Sequence, residues 1–134
     1  MRKHLIASMA AGLFLFGSSA FAHHPFSADY DVNKPAQVEG RVTKVDLGNP
    51  HSFLTIEGRD GKGNKEHFKV ELGSRHALEG KGWKKKSVRV GDEVTVDGWY
   101  SRHDSDRLNA QFVRVHHDGH QYDAASSYFA AAGN

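Results

Sequence analysis

Apolar residues in this chain recur at every second position in short runs, and that period selects strands over helices. In residues 66–72, Phe68, Val70 and Leu72 alternate with His67, Lys69 and Glu71. One set is therefore expected to face a core and the other to face outward. Residues 52–57 set Leu54 and Ile56 on one face and Phe53 and Thr55 on the other. Residues 93–100, with Val94 and Val96 inward, and residues 108–115 read as two further strands. Residues 37–47 read as a first, longer strand in which the apolar set changes phase between Val42 and Val45. Such a change implies a bulge or a strong bend, with Gly40 as a point of close backbone approach.

The period breaks once. Ser74 is an N-cap candidate, and residues 75–79 make one or two helical turns before Gly80. Trp83 follows as an expected core anchor. The order is therefore β-β-β-α-β-β. It predicts an all-β fold with one short helix, a small five-stranded OB-fold-like barrel. An open meander capped by the helix is the alternative. The turns fit this spacing: Gly48-Asn49-Pro50, the Gly-rich run at residues 59–64, and Gly91-Asp92. The organisation expected is a secretory signal at 1–22, an irregular arm at 23–34, the barrel at 35–115 and a His/Ala-rich C-terminal tail at 116–134.

The first 22 residues have a different character. Arg2 and Lys3 precede an apolar run ending in Leu13, Phe14, Leu15 and Phe16, and Ala20 and Ala22 occupy the −3 and −1 positions. This is the three-part export pattern, with cleavage expected between Ala22 and His23. It implies a periplasmic or secreted protein with no membrane span after cleavage. Removal takes Arg2 and Lys3 from a total of 18 basic residues against 16 acidic, leaving a formal charge of zero. That balance argues against a nucleic-acid partner. Met1 and Met9 leave as well, and the chain has no cysteine, so the processed protein is free of sulfur. Disulfides, thiol catalysis and thiolate or thioether metal ligands are excluded. The Lys84-Lys85-Lys86 run reads most simply as a solvated loop, with an anionic-ligand role as the alternative.

Histidine remains abundant, since nine of the ten lie after the cleavage point. A newly exposed His23 would offer its α-amine and Nδ1 to one metal ion, and a further imidazole would complete a set of three nitrogens suited to Cu(II). In ligand arrangement, though not in fold, this resembles the N-terminal histidine sites of periplasmic copper carriers and copper monooxygenases. His24 is adjacent. His51, after Asn49-Pro50, is the best placed further ligand, or else a turn histidine bonded to backbone. Glu71 is expected on the outward face of its strand, as a carboxylate ligand, as an acceptor orienting an imidazole, or as a solvated side chain. His116, His117 and His120 form a second cluster. Copper or zinc is thus the expected cofactor. No nucleophile elbow or phosphate loop occurs, and the chain is not expected to be an enzyme.

Several segments occur together in a recognisable order: His23-His24-Pro25-Phe26, Lys34-Pro35, Gly40 with residues 42–45, Asn49-Pro50-His51, Gly82-Trp83 and residues 91–98. With them the chain resembles the exported bacterial proteins of domain of unknown function 6152. The resemblance implies an envelope location, a β-rich fold and no established function, and it supplies no catalytic residues. His67-Phe68, where similar proteins often carry a Trp, and His103 depart from the pattern and stay outside any shared site. The expected function is that of a small periplasmic binding protein holding Cu(II) or Zn(II) at its N-terminal histidine. A metal-free module binding an oligosaccharide, a peptide or an envelope protein is the alternative, and a structural accessory a third reading.

Overall fold

The computed structural model describes residues 25–59 and 62–130. The expected signal at 1–22, and His23 and His24, lie outside the described residues. The fold is mostly β, with a few short helices. In chain order the elements are α1 (Phe26–Asp29), β1 (Tyr30–Asp46), β2 (Ser52–Arg59), β3 (Lys65–Leu72), α2 (Arg75–Gly80), β4 (Glu93–Ser101), β5 (Arg107–Val115), β6 (Gln121–Asp123) and α3 (Ser127–Ala130). The strands form one sheet in the order β3-β2-β1-β4-β5-β6, and β3 also pairs with β5. Neighbours in the sheet run antiparallel, whereas the β3–β5 pairing is parallel and joins Lys69, Val70 and Glu71 to Arg107, Leu108 and Asn109.

β1 organises the sheet because it serves two neighbours. Its first half pairs with β4 and its second half with β2, and Glu39, Gly40 and Arg41 pair with both. The register slips between Val42 and Lys44, where the apolar phase changes in the sequence. Gly40 lies opposite Gly58. A Cβ on Gly40 would sit 2.3 Å from the Glu57 carbonyl oxygen, so only glycine permits this approach.

The inward residues form a single core. Val38 and Val42 of β1, Leu54 and Ile56 of β2, Phe68, Val70 and Leu72 of β3, Val94 and Val96 of β4, and Leu108 of β5 are all buried within it. Ser74 caps α2 as its spacing suggests, its Oγ accepting from the Ala77 N–H at 3.1 Å. Leu78 of α2 and Trp83 complete the core, and Trp83 Nε1 donates to the Asp123 carbonyl at 2.7 Å.

Both flanks are more ordered than the sequence suggests. The segment read as an irregular arm holds α1 and the first residues of β1, with Phe26 and Tyr30 buried. The segment read as a tail supplies β6 and α3, and Ala124 is fully buried. No helix among the described residues is long and apolar enough to cross a membrane.

Candidate functional site

His51 sits where three backbone segments meet. The turn before it contains a cis Asn49–Pro50 bond. Gly48 donates to Ser52 Oγ at 3.1 Å, Ser52 N donates to the Gly73 carbonyl at 3.0 Å, and Arg75 N donates to the Gly48 carbonyl at 2.8 Å. The turn is thereby tied to the end of β3 and the start of α2. His51 itself is half-buried, and its Nδ1 lies 3.4 Å from Glu71 Oε1.

Glu71 is not the outward side chain its alternation suggests. It is 6% exposed, because the outer surface at this end of β3 is covered by two residues from distant parts of the chain. Its Oε2 accepts from the Tyr30 hydroxyl and, at 3.1 Å, from Arg107 Nη2. Arg107 Nε donates to the Tyr30 hydroxyl oxygen at 3.1 Å, which closes a three-membered network. Burial pushes the Tyr30 phenol up, and the Glu71 carboxylate pushes it further, so it stays protonated far into the alkaline range. Burial works against the Arg107 charge, but its bonds to Tyr30 and Glu71 outweigh that and raise its pKa.

This arrangement has a definite chemical polarity. Oε2 of Glu71 is engaged by Tyr30 and Arg107, while Oε1 faces an imidazole. Of the two ring nitrogens of His51, Nδ1 is the one turned toward this carboxylate. Its Nε2 has no partner among the described residues. A carboxylate behind one ring nitrogen, with the other nitrogen free, is the usual preparation of a metal-ligating or proton-accepting histidine.

The N-terminal arm is anchored beside this network. The Phe26 ring lies 5.3 Å from that of Tyr30, 5.5 Å from that of Trp99 and 5.2 Å from that of Tyr128. His23 and His24 precede Phe26 by three and two residues.

The remaining histidines do not converge. His116 Nε2 lies 2.8 Å from Thr95 Oγ1, on the outer face of the sheet. His117 Nε2 is 4.0 Å from Asp118 Oδ2, and the His120 ring lies 4.2 Å from that of Tyr122. The His120 backbone N–H, with help from the His117 and His120 side chains, holds the exposed Asp118 carboxyl below its ordinary pKa. His67 is exposed, and His103 Nε2 is 3.1 Å from the Ala28 carbonyl oxygen. Among the described residues, no group of three or more His, Cys, Asp or Glu side chains is placed to hold a metal ion. His51 and Glu71 are therefore together, but they are two groups, and the carboxylate already has partners.

Sequence reasoning pairs neither Tyr30 nor Arg107 with this place. They lie 41 and 36 residues from Glu71, and no local pattern links positions so far apart.

Comparison with known proteins gives one result. The model of a family described as a family of unknown function (DUF6152) matches residues 12–111, a stretch that includes Tyr30, His51, Glu71 and Arg107 but not His116, His117 or His120. No curated protein matches the chain.

Proposed function

The chain belongs to this family of unknown function, and from that premise we propose an exported, non-catalytic binding protein that holds Cu(II) or Zn(II). Its working form begins at His23, after cleavage in the periplasm or beyond. The α-amine and Nδ1 of His23 supply two ligands, and His51 Nε2 supplies a third. The observation that carries the reading is the Glu71 carboxylate behind His51 Nδ1 at 3.4 Å, which leaves Nε2 as the metal-facing nitrogen. Phe26 supports it, because its packing against Tyr30 fixes the arm near this network. His23 precedes Phe26 by only three residues in the sequence, a reach of at most about 3.3–3.6 Å per residue. The metal would polarise a bound group or simply be carried. Acid would release it by protonating the imidazoles and the amine. We also propose that the five long strands close as an OB-like barrel, a reading the parallel β3–β5 pairing favours.

The test is calorimetric titration with Cu(II) and Zn(II) of three proteins: one beginning at His23, one with a single extra residue before it, and His51→Ala. The extra residue is expected to abolish tight binding, and His51→Ala to weaken it by about tenfold or more. Equal affinity in the first two proteins overturns the N-terminal chelate.

One observation favours the metal-free alternative. An open polar cleft of about 870 Å³ crosses β1, β2 and β4, and its lining includes Gln37, Glu39, Arg41, Glu57 and Glu93. Its size suits a short glycan or peptide. Binding of such a ligand that survives a chelator and is lost in Arg41→Ala would favour this reading over the metal.

A further inference from the structure

Residues 81–89 carry five basic side chains, Lys81, Lys84, Lys85, Lys86 and Arg89, and no acidic one. In a chain that is electrically neutral without residues 1–22, this is a concentrated departure from the mean. Lys81 is partly spent, since its Nζ lies 3.4 Å from Asp123 Oδ2. Lys84, Lys85 and Lys86 are exposed and have no ion-pair partner among the described residues. Surface charges left unneutralised repel one another, and an anionic surface relieves that repulsion.

The run is also held in place. Trp83 and Val88, at either side of it, are buried at 4% and 3% exposure. Lys84 N donates to Ser87 Oγ at 2.8 Å, and Ser87 N donates back to the Lys84 carbonyl at 3.0 Å. The three ammonium groups therefore extend from a fixed backbone, so little backbone freedom is lost when they meet a partner. Behind them is a small pocket of about 160 Å³ between Leu47, Leu78 and Trp83, edged by Arg75, Lys84 and Lys85. One carboxylate, Glu79, also borders it. An apolar floor under a cationic edge suits a compact anionic head joined to an apolar stem. The same loop leaves Val90 65% exposed.

We propose that this loop, between α2 and β4, docks the protein on an anionic phospholipid surface, with a headgroup phosphate at the Arg75–Lys84–Lys85 edge. A cluster of four to eight basic residues, each worth about 1 kcal/mol near an anionic leaflet, has the right strength for reversible attachment. The proposal is independent of the metal reading, and its test is run with a chelator present.

The experiment is co-sedimentation of the protein beginning at His23, which keeps every described residue. The vesicles are phosphatidylcholine alone and phosphatidylcholine mixed with phosphatidylglycerol. Binding is expected only to the mixed vesicles and is expected to weaken as salt rises. The Lys84→Gln, Lys85→Gln, Lys86→Gln triple variant should lose about a hundredfold in partitioning while keeping its urea midpoint, because all three side chains are exposed. Equal binding to both vesicles, no binding to either, or unchanged binding by the triple variant overturns the proposal. Release by millimolar inorganic phosphate, but not by chloride at matched ionic strength, also overturns it and assigns the pocket to a small soluble anion.

Discussion

Tyr30 joins the arm to the site, because its ring packs on Phe26 while its hydroxyl donates to Glu71. Its raised pKa has a consequence for stability. An unfolded tyrosine ionises near pH 10, whereas folded Tyr30 keeps its proton. Its contribution is thus fully present below about pH 10 and is lost as pH rises above it, where the unfolded chain binds fewer protons than the folded one. Urea unfolding across the alkaline range should show wild-type stability falling more steeply than that of Tyr30→Phe. At neutral pH the same variant should cost about 1–2 kcal/mol for its lost bonds. Glu71→Gln weakens two charge-assisted contacts, and a loss of about 2–3 kcal/mol is expected in the same measurement. A loss no larger than that of exposed Glu57→Gln would show that the network carries no stability. Residue-level legibility ended at this network. The sequence brought His51 and Glu71 forward as ligand types. The alternation of β3 then assigned Glu71 to solvent, because a period of two reports which face a side chain takes and not what covers that face. Tyr30 and Arg107 cover it from β1 and β5, and their proximity arises only from the pairing of the strands.

At the scale of elements, the five long strands and α2 were legible because each carries its own signal: alternation for the strands, Ser74 and Gly80 for the helix. β6 was not, since Gln121–Asp123 is three residues long and follows a polar run with no period. β5 carries a feature that alternation alone does not announce. Its fully buried set steps from Leu108 and Ala110 to Val113 and Val115, three positions instead of two, and the β4–β5 register shifts between Asp97 and Gly98. Gly98 allows this crossing, since a Cβ there would lie 1.9 Å from the Asn109 carbonyl oxygen. Gly98→Ala must therefore displace backbone and should cost about 3 kcal/mol, at the upper end of overpacking effects. Gly80→Ala, with no atom within 4 Å of its added Cβ, is the matched control. It should be neutral or stabilising by up to about 1 kcal/mol. Thermal unfolding of the two variants separates a steric need for glycine from a merely tolerated one.

For the whole molecule, the C-terminal segment is a working part of the fold. Asp123 accepts from Trp83 Nε1, Ala124 N donates to the Gln111 carbonyl, and Gly73 N donates to the Ala124 carbonyl. Ser126 Oγ donates to Asn109 Oδ1 at 2.7 Å. A chain ending at Gly119 gives up these bonds and the cover over Trp83. At about 1 kcal/mol per bond, its Tm should fall by roughly 10–20 °C. A chain ending at Gly119 with an unchanged Tm would mean that residues 120–130 only rest on the surface. The aromatic cluster of Phe26, Trp99 and Tyr128 has a practical side. It brings α1 and α3 together, with the Phe26 and Tyr128 rings 5.2 Å apart, so both ends of the described chain are neighbours. A bulky tag fused behind Ala130 would crowd the very segment from which the proposed chelate extends. By the same geometry, a short linker can join residue 130 to residue 25, and the chain can be reopened in the loop between β2 and β3. Such a circular permutant would keep the order of the sheet while removing the free α-amine that the proposed chelate needs, and so would serve as a folded control without it.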